Sequence, residues 1–205
     1  MSFIDIKQGP PLSIKSVCLY CGSANGVAEG YKKTARDIST MLAQRRLKIV
    51  YGGGHVGLMG IIADAAILAG TQVIGIIPEH IKSQEIQHTG LTELHVVPDM
   101  HTRKRMMVER ADAFVILPGG LGTLDETFEI LTWKKLKLHN KPIIIYNQDG
   151  YCDPLLKLIA HTIKEGFAQP GDGLLFTVVS NLNELKDAIE AAASVPAMAS
   201  NTGRM

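Results

Sequence analysis

Several protein classes are excluded by what this sequence has little of. Cysteine is scarce: Cys18, Cys21 and Cys152 are the only three. An odd, widely spaced set makes no disulfide framework, and one C-x-x-C without a second pair does not complete four zinc ligands. Cys18 reads instead as a buried strand residue. Aromatic residues make up only 5% of the chain, which argues against a base-stacking surface. Neither sign of charge dominates: Lys+Arg is 21, Asp+Glu is 20, and the net charge is +1. The electrostatic footprint of a general nucleic-acid binder is therefore missing. Long apolar runs are missing too. The most apolar stretch, Ile61 to Pro78, is interrupted by Asp64, Gly70, Thr71 and Gln72, so it is not a membrane span. The first residues carry Asp5, Lys7 and a Gly9-Pro10-Pro11 break instead of an apolar leader core. The expectation is a cytoplasmic protein with no nucleic-acid partner and no membrane partner.

Glycine is abundant, at 20 of 205 residues, in a chain that is otherwise ordinary at 46% hydrophobic and 20% charged. That composition excludes global disorder. The length fits one domain, expected over residues 14–193, between a flexible arm (1–13) and a flexible tail (194–205). Short apolar runs alternate with longer helical patterns. Ser16–Tyr20, Lys48–Tyr51, Gln72–Ile77, Leu94–Val97, Ala113–Leu117 and Pro142–Tyr146 read as strands, with a short edge strand at Leu175–Val179. Helices are expected around Tyr31–Leu47, Leu58–Ala69, Met100–Arg110, the stretch after Gly120 to about Leu138, and Leu155–Phe167. The last begins at Asn181, with Glu184 as its capping-box partner. The segment 79–92 is polar and ambiguous. Apolar strands separated by helices predict an α/β fold: a Rossmann-like, doubly wound parallel sheet with helices on both faces. Such sheets bind ligands beyond the carboxyl ends of their strands, and the glycines cluster there.

The first cluster runs from Gly52, Gly53 and Gly54 to Gly57 and Gly60, between a strand and a helix. It contains a G-x-G-x-x-G pattern, with Glu79 where a ribose-binding acid would fall, as in dinucleotide-binding folds. A tight turn with close helix–sheet packing explains the same glycines. The second cluster is Pro118-Gly119-Gly120-Leu121-Gly122-Thr123. Bare backbone at a helix N-terminus offers N–H donors and a positive dipole end to an anion. No lysine follows in the position that a Walker motif requires. Thr123-Leu124-Asp125-Glu126 also reads as a T-x-x-E capping box. The third feature is Met100-His101-Thr102-Arg103-Lys104-Arg105. Three cations near a helix start run against the macrodipole, which points either to a solvated basic face or to an anion site.

Together these segments resemble one family. Tyr51-Gly52-Gly53-Gly54 through Gly57-Leu58-Met59-Gly60, then Met100-His101-x-Arg103-Lys104, then Pro118-Gly119-Gly120-x-Gly122-Thr123-x-x-Glu126 are similar to the LOG family. These are cytokinin riboside 5′-monophosphate phosphoribohydrolases, some of which carry a lysine decarboxylase label. The likeness runs from about Val17 to Ala192 and includes Cys21-Gly22-Ser23. It implies a homodimer with its active site near the interface, and hydrolysis of the N-glycosidic bond of a nucleoside 5′-monophosphate, without cofactor or metal. By motif position, Arg103 and Glu126 are implied as the catalytic pair. Glu85, Lys104, Gly119, Gly120, Gly122, Thr123 and Thr132 are implied as substrate contacts. Gly22, Ser23, Gly52, Gly53, Gly54 and Met59 are placed near the nucleotide. Two rival readings stay open at this point: a nucleotide sensor that binds without cleaving, and an NAD(P)-linked oxidoreductase resting on Gly52, Gly54, Gly57 and Glu79.

Overall fold

The computed structural model describes residues 13–82 and 87–194. Glu85, the expected arm apart from Ser13, and the expected tail apart from Ser194 lie outside them. Seven strands form one sheet: β1 (Ser16–Tyr20), β2 (Lys48–Tyr51), β3 (Val73–Pro78), β4 (Glu93–Val97), β5 (Ala113–Ile116), β6 (Ile143–Tyr146) and β7 (Thr177–Val179). Their order is β4-β3-β2-β1-β5-β6-β7, and every pairing is parallel. The chain winds outward from β1 to one edge, then returns to the other side of β1 at β5. The crevice between β1 and β5 is the switch point where such sheets place their ligands.

The helices are α1 (Glu29–Gln44), α2 (Gly57–Leu68), α3 (Glu79–Lys82), α4 (Met100–Arg110), α5 (Leu121–Lys135), α6 (Asp153–Lys164) and α7 (Leu182–Ala193). The period-two alternation of strand side chains divides the core into two layers. Val17, Leu19, Ile49 and Tyr51 face α1, α2 and α7, with Ile38, Leu42, Ile62 and Leu185 packed on them. Cys18, Tyr20, Val50 and Phe114 face the other way, toward Met107 of α4, Ile130 and Leu131 of α5, and Leu155 and Ile159 of α6. Both faces of the sheet are covered, as a doubly wound parallel sheet requires. No helix among the described residues is long and apolar enough to cross a membrane.

Local signals explain several element ends. Asp99 caps α4, its side chain accepting from Thr102 N–H at 2.7 Å. Asn181 caps α7 by accepting from Glu184 N–H at 3.0 Å, and Glu184 reaches back to Ser180 N–H at 2.7 Å. The helical pattern carried to Leu47 stops earlier, because Arg46 takes a φ of 57° after α1. The ambiguous 79–92 segment contains the single turn α3 and an isolated antiparallel bridge between Gly54 and Gln87.

Candidate active site

A cavity of about 160 Å³ opens at the switch point, lined by Gly22, Ser23, Gly52, Met59, Arg103, Gly120, Gly122, Thr123 and Glu126. Leu19, Cys21, Met107 and Leu121 complete its wall. All three glycine-bearing turns and the basic helix start therefore meet in one place. A second cavity of about 290 Å³ lies beside it, with Gly22, Ser23 and Gly120 common to both.

The turn after β5 is built for close approach. Gly22 N–H donates to Pro118 O at 3.1 Å, drawing the turns after β1 and β5 together. A Cβ on Gly119 would collide with the Thr123 hydroxyl and lie 2.8 Å from Gly22 N. Tyr151 donates its hydroxyl to Gly119 O at 2.8 Å, fixing the turn from the other side. Helix α5 then begins with Gly120 as N-cap, without a side-chain cap. Its first internal bond runs from Leu124 N–H to Gly120 O, at 3.0 Å. The amides of Leu121, Gly122 and Thr123 come before that bond, as the opening amides of any helix do. A Cβ at Gly120 or Gly122 would meet nothing within 4 Å, so an anion can reach this backbone.

The capping-box reading of Thr123 to Glu126 is overturned here. Thr123 is the third residue of α5, not its cap. Glu126 is therefore one turn inside the helix and on the cavity wall. Its charge reaches down to β1. Burial first, and then the Glu126 carboxylate, hold the Cys18 thiol well above its ordinary value. Burial, Cys18 and Glu126 do the same to the Tyr20 phenol. Burial and Glu126 both favour the neutral thiol, in keeping with Cys18 as a buried strand residue in the core.

Arg103 is buried, at 6% exposure. Its Nε donates to Ile76 O and its Nη2 to Gly52 O, both at 3.1 Å. Gly52 directly follows β2, and Ile76 lies within β3 just past the residues that pair with β2. The guanidinium satisfies both carbonyls and stands in the cavity wall. Gly52 makes this possible, because a Cβ there would overlap Arg103 Nη2. Lys104 points elsewhere. Its ammonium lies 3.1 Å from both Asp125 Oδ2 and Glu129 Oε1, and it is not among the cavity-lining residues. Only Arg105 and His101 of the basic run are exposed, Arg105 lying 3.9 Å from Glu109. The solvated-face reading thus fails for Arg103 and Lys104, both buried.

The first glycine cluster has packing duties of its own. Gly57 has a φ of +58°, with a Cβ position that would overlap the Ser23 backbone, and its N–H donates to Asn25 Oδ1 at 2.9 Å. Gly53 O accepts from His88 N–H at 3.1 Å. Glu79 sits exposed on α3, 3.8 Å from Lys82. These contacts explain the glycines without a dinucleotide. Thr132 lies outside the cavity, exposed on α5, with its hydroxyl on Phe128 O at 2.7 Å.

His55, Asp64 and His88 form a cluster of metal-ligating type away from this cavity. Gly90 N–H donates to His88 Nδ1 at 3.0 Å, so the hydrogen of the neutral ring is on Nε2. That hydrogen faces Asp64 Oδ1 at 2.9 Å, with His55 stacked on His88 at 4.5 Å between centroids. This is the wrong tautomer for coordination through Nε2. The cluster fastens residues 88–90 to α2.

Met107, Cys21, Leu121 and Tyr151 were not singled out as site residues by sequence reasoning. Met107 had a usable signal, since it lies one turn beyond Arg103 on the same helix face.

Residues 59–189 match a family model described as "Possible lysine decarboxylase". A cytokinin riboside 5′-monophosphate phosphoribohydrolase of Rhodococcoides fascians is 49% identical over 157 residues, covering 76% of this chain and 79% of that one. The chain belongs to the LOG family. An Arabidopsis thaliana LOG enzyme of the same name is 42% identical over 177 residues, covering 86% of this chain and 78% of its own. Among solved structures, the molybdenum cofactor carrier protein of Chlamydomonas reinhardtii superposes with a TM-score of 0.67 at 17% identity, over 88% of this chain and 98% of that one. At that identity the likeness is one of fold.

Proposed function

We propose that this protein hydrolyses the N-glycosidic bond of cytokinin riboside 5′-monophosphates and related adenosine-type 5′-monophosphates, releasing free base and ribose 5-phosphate. One observation carries the reading: a carboxylate, a guanidinium and an anion-receptive helix start line the same cavity at the switch point. The names of the relatives support the same reaction.

The parts divide the work as follows. The 5′-phosphate sits on the amides of Leu121, Gly122 and Thr123, with Thr123 available to add its hydroxyl. Cleavage of the C1′–N9 bond builds positive charge on the ribose. Glu126 stabilises that charge and orients the attacking water, whose oxygen bonds to C1′ while a proton goes to the departing base. Arg103 offers ribose or phosphate oxygens whichever N–H groups its two carbonyls leave over, held in a fixed plane. The ribose keeps phosphate and Glu126 apart. The decarboxylase description of the family model fits less well. Pyridoxal-phosphate chemistry needs a lysine amine in the site. No lysine is among the described residues lining the cavity, and Lys104 is held by two carboxylates.

A homodimer completes the reading. Helix α6 is only partly buried: Leu155, Leu156 and Ile159 pack against the sheet, and Leu158 is 51% exposed. With Phe128 and Tyr151 it borders an apolar hollow of about 450 Å³. Leu121, 86% exposed, joins that surface to the cavity. A second copy covering this face would bring the interface to the rim of the site and reach the exposed Thr132. Free cysteines at 18, 21 and 152 suit a reducing cytoplasm.

The test is product analysis with AMP and with isopentenyladenosine monophosphate. Equimolar free base and ribose 5-phosphate are expected. Tight binding of either nucleotide with no bond cleavage would leave a nucleotide sensor.

A further inference from the structure

We infer that Asp125 and Glu129 are positioning residues for the hydrolytic pair, acting through Lys104. The inference rests on the function proposed above and names residues that function does not require.

The sequence sets the pieces side by side. Arg103 and Lys104 are neighbours on α4, and Asp125 and Glu126 are neighbours on α5. Each residue assigned to chemistry is therefore bonded to one that bridges the helices. The Lys104 side chain is only 10% exposed, and its ammonium is 3.1 Å from an oxygen of each carboxylate. A buried ammonium needs a partner, and one carboxylate would be enough to neutralise it. Two carboxylates, one helical turn apart on α5, do something further: they fix the rotation of α5 about its axis. Asp125 and Glu129 share a face as an i, i+4 pair. Glu126 is then set about 100° from Asp125 and about 60° from Glu129 around the helix. With both carboxylates turned to Lys104, Glu126 is aimed into the cavity whose wall it forms.

The bridge acts on α4 as well. Arg103 is tied to the end of β2 through Gly52 O and to β3 through Ile76 O. Lys104, the next residue, ties the same helix turn to α5. The two ties together set the span between the Arg103 guanidinium and the Glu126 carboxylate. Displacement of a reacting group by about 1 Å can cost on the order of 10² in rate, so a bridge of this kind matters for turnover while touching no substrate. The ammonium is held above the ordinary lysine value: burial lowers it, and the bonds to Glu129 and Asp125 more than offset that. Lys104 thereby becomes a strut in place of the substrate contact its motif position implied.

The test compares wild type with Asp125→Asn, Glu129→Gln and the double variant, each confirmed as folded by thermal unfolding. Either single variant leaves Lys104 one carboxylate, so its fold should survive. Each single variant is expected to lower kcat for AMP by roughly tenfold with KM within about twofold, and the double variant by more. Asp125→Glu keeps a carboxylate in reach and should restore most of kcat. A second readout needs no turnover: hydrogen exchange at Arg103 Nε–H, followed by ¹⁵N NMR. It should be slow in wild type and about tenfold faster or more in the double variant, as α4 loosens from Gly52 and β3. Unchanged kcat in a folded double variant would overturn the inference, as would unchanged Nε–H exchange. A raised KM at constant kcat would overturn it too, by making these residues substrate contacts. If wild type releases no base at all, the proposed reaction fails, and the exchange measurement still decides the strut.

Discussion

The two helical layers on this sheet differ in how completely they are finished. On one face α1 and α2 each bury six residues, and Ile38, Leu42, Ile62 and Ala66 are essentially inaccessible. On the other, α6 buries none, and α4 and α5 bury the charged and polar groups Arg103, Lys104, Thr123 and Thr127. The first layer buries an almost wholly apolar core, with Leu68 exposed at its rim. The second holds one cation against backbone carbonyls of β3 and Gly52 and another between two carboxylates, presents helix-start amides to a cavity, and leaves Leu121 and Leu158 exposed. The groups proposed for the reaction and the face proposed to receive a second copy both lie on this second layer.

Substitutions on the second layer should therefore change function, and matched ones on the first should not. The largest effect is expected at Glu126. Glu126→Gln keeps size and helix propensity, so unfolding should move by less than about 1 kcal/mol, while turnover of AMP falls by roughly 10² or more. Titration of AMP on the same sample should still show binding. Arg103→Lys comes next. A lysine ammonium is a point charge that cannot reproduce a planar fork held on two carbonyls. Activity should fall at least about tenfold, and stability by about 1.5–3 kcal/mol for the lost charged bond, read by steady-state kinetics and urea unfolding.

The oligomer prediction sets the layers directly against each other. Leu158 is 51% exposed on α6 and Leu68 is 91% exposed on α2. Leu158→Asp should convert a dimer to a monomer in analytical ultracentrifugation, and Leu68→Asp should leave it unchanged, although it is the more exposed. A smaller effect comes from the turn after β5. Gly119→Ala should cost about 1–3 kcal/mol by overpacking against Thr123 and Gly22. Gly122→Ala meets nothing and should be neutral or stabilising by about 0.5–1 kcal/mol.

The smallest effect is in the pH dependence. The Lys104 ammonium is held above its ordinary value, so the folded state keeps its proton more tightly than the unfolded chain. Its stabilisation is complete below about pH 10.4 and is lost as pH rises through the raised value. A shallow alkaline decline in melting temperature is expected, and Lys104→Met should remove it.

Strands and turns were legible in the sequence because buried parallel strands are unbroken apolar runs that end at glycines. Val17–Tyr20 and Ala113–Ile116 are of this kind, and the anion-receptive turn at Gly119 follows from the second. The start of α5 misled, because Thr123 has the chemistry of a cap, while Gly120, with no side-chain oxygen, occupies that place. The partners of the buried cations were not legible. Lys104 meets Asp125 across 21 residues, and Arg103 meets Gly52 O across 51. No local pattern encodes such distances. The fold brings them together through strand order, which the sequence alone left unassigned.

In the proposed reaction the 5′-phosphate, seated on the α5 amides, anchors a nucleotide whose glycosidic bond lies at Glu126. Parallel measurement of free adenine released from AMP and from adenosine by the wild-type protein tests it most directly. A phosphate held by helix-start amides is binding energy remote from the broken bond, so kcat/KM for AMP should exceed that for adenosine by about 10² or more. Equal release from the two substrates would mean that the α5 amides do not anchor a phosphate.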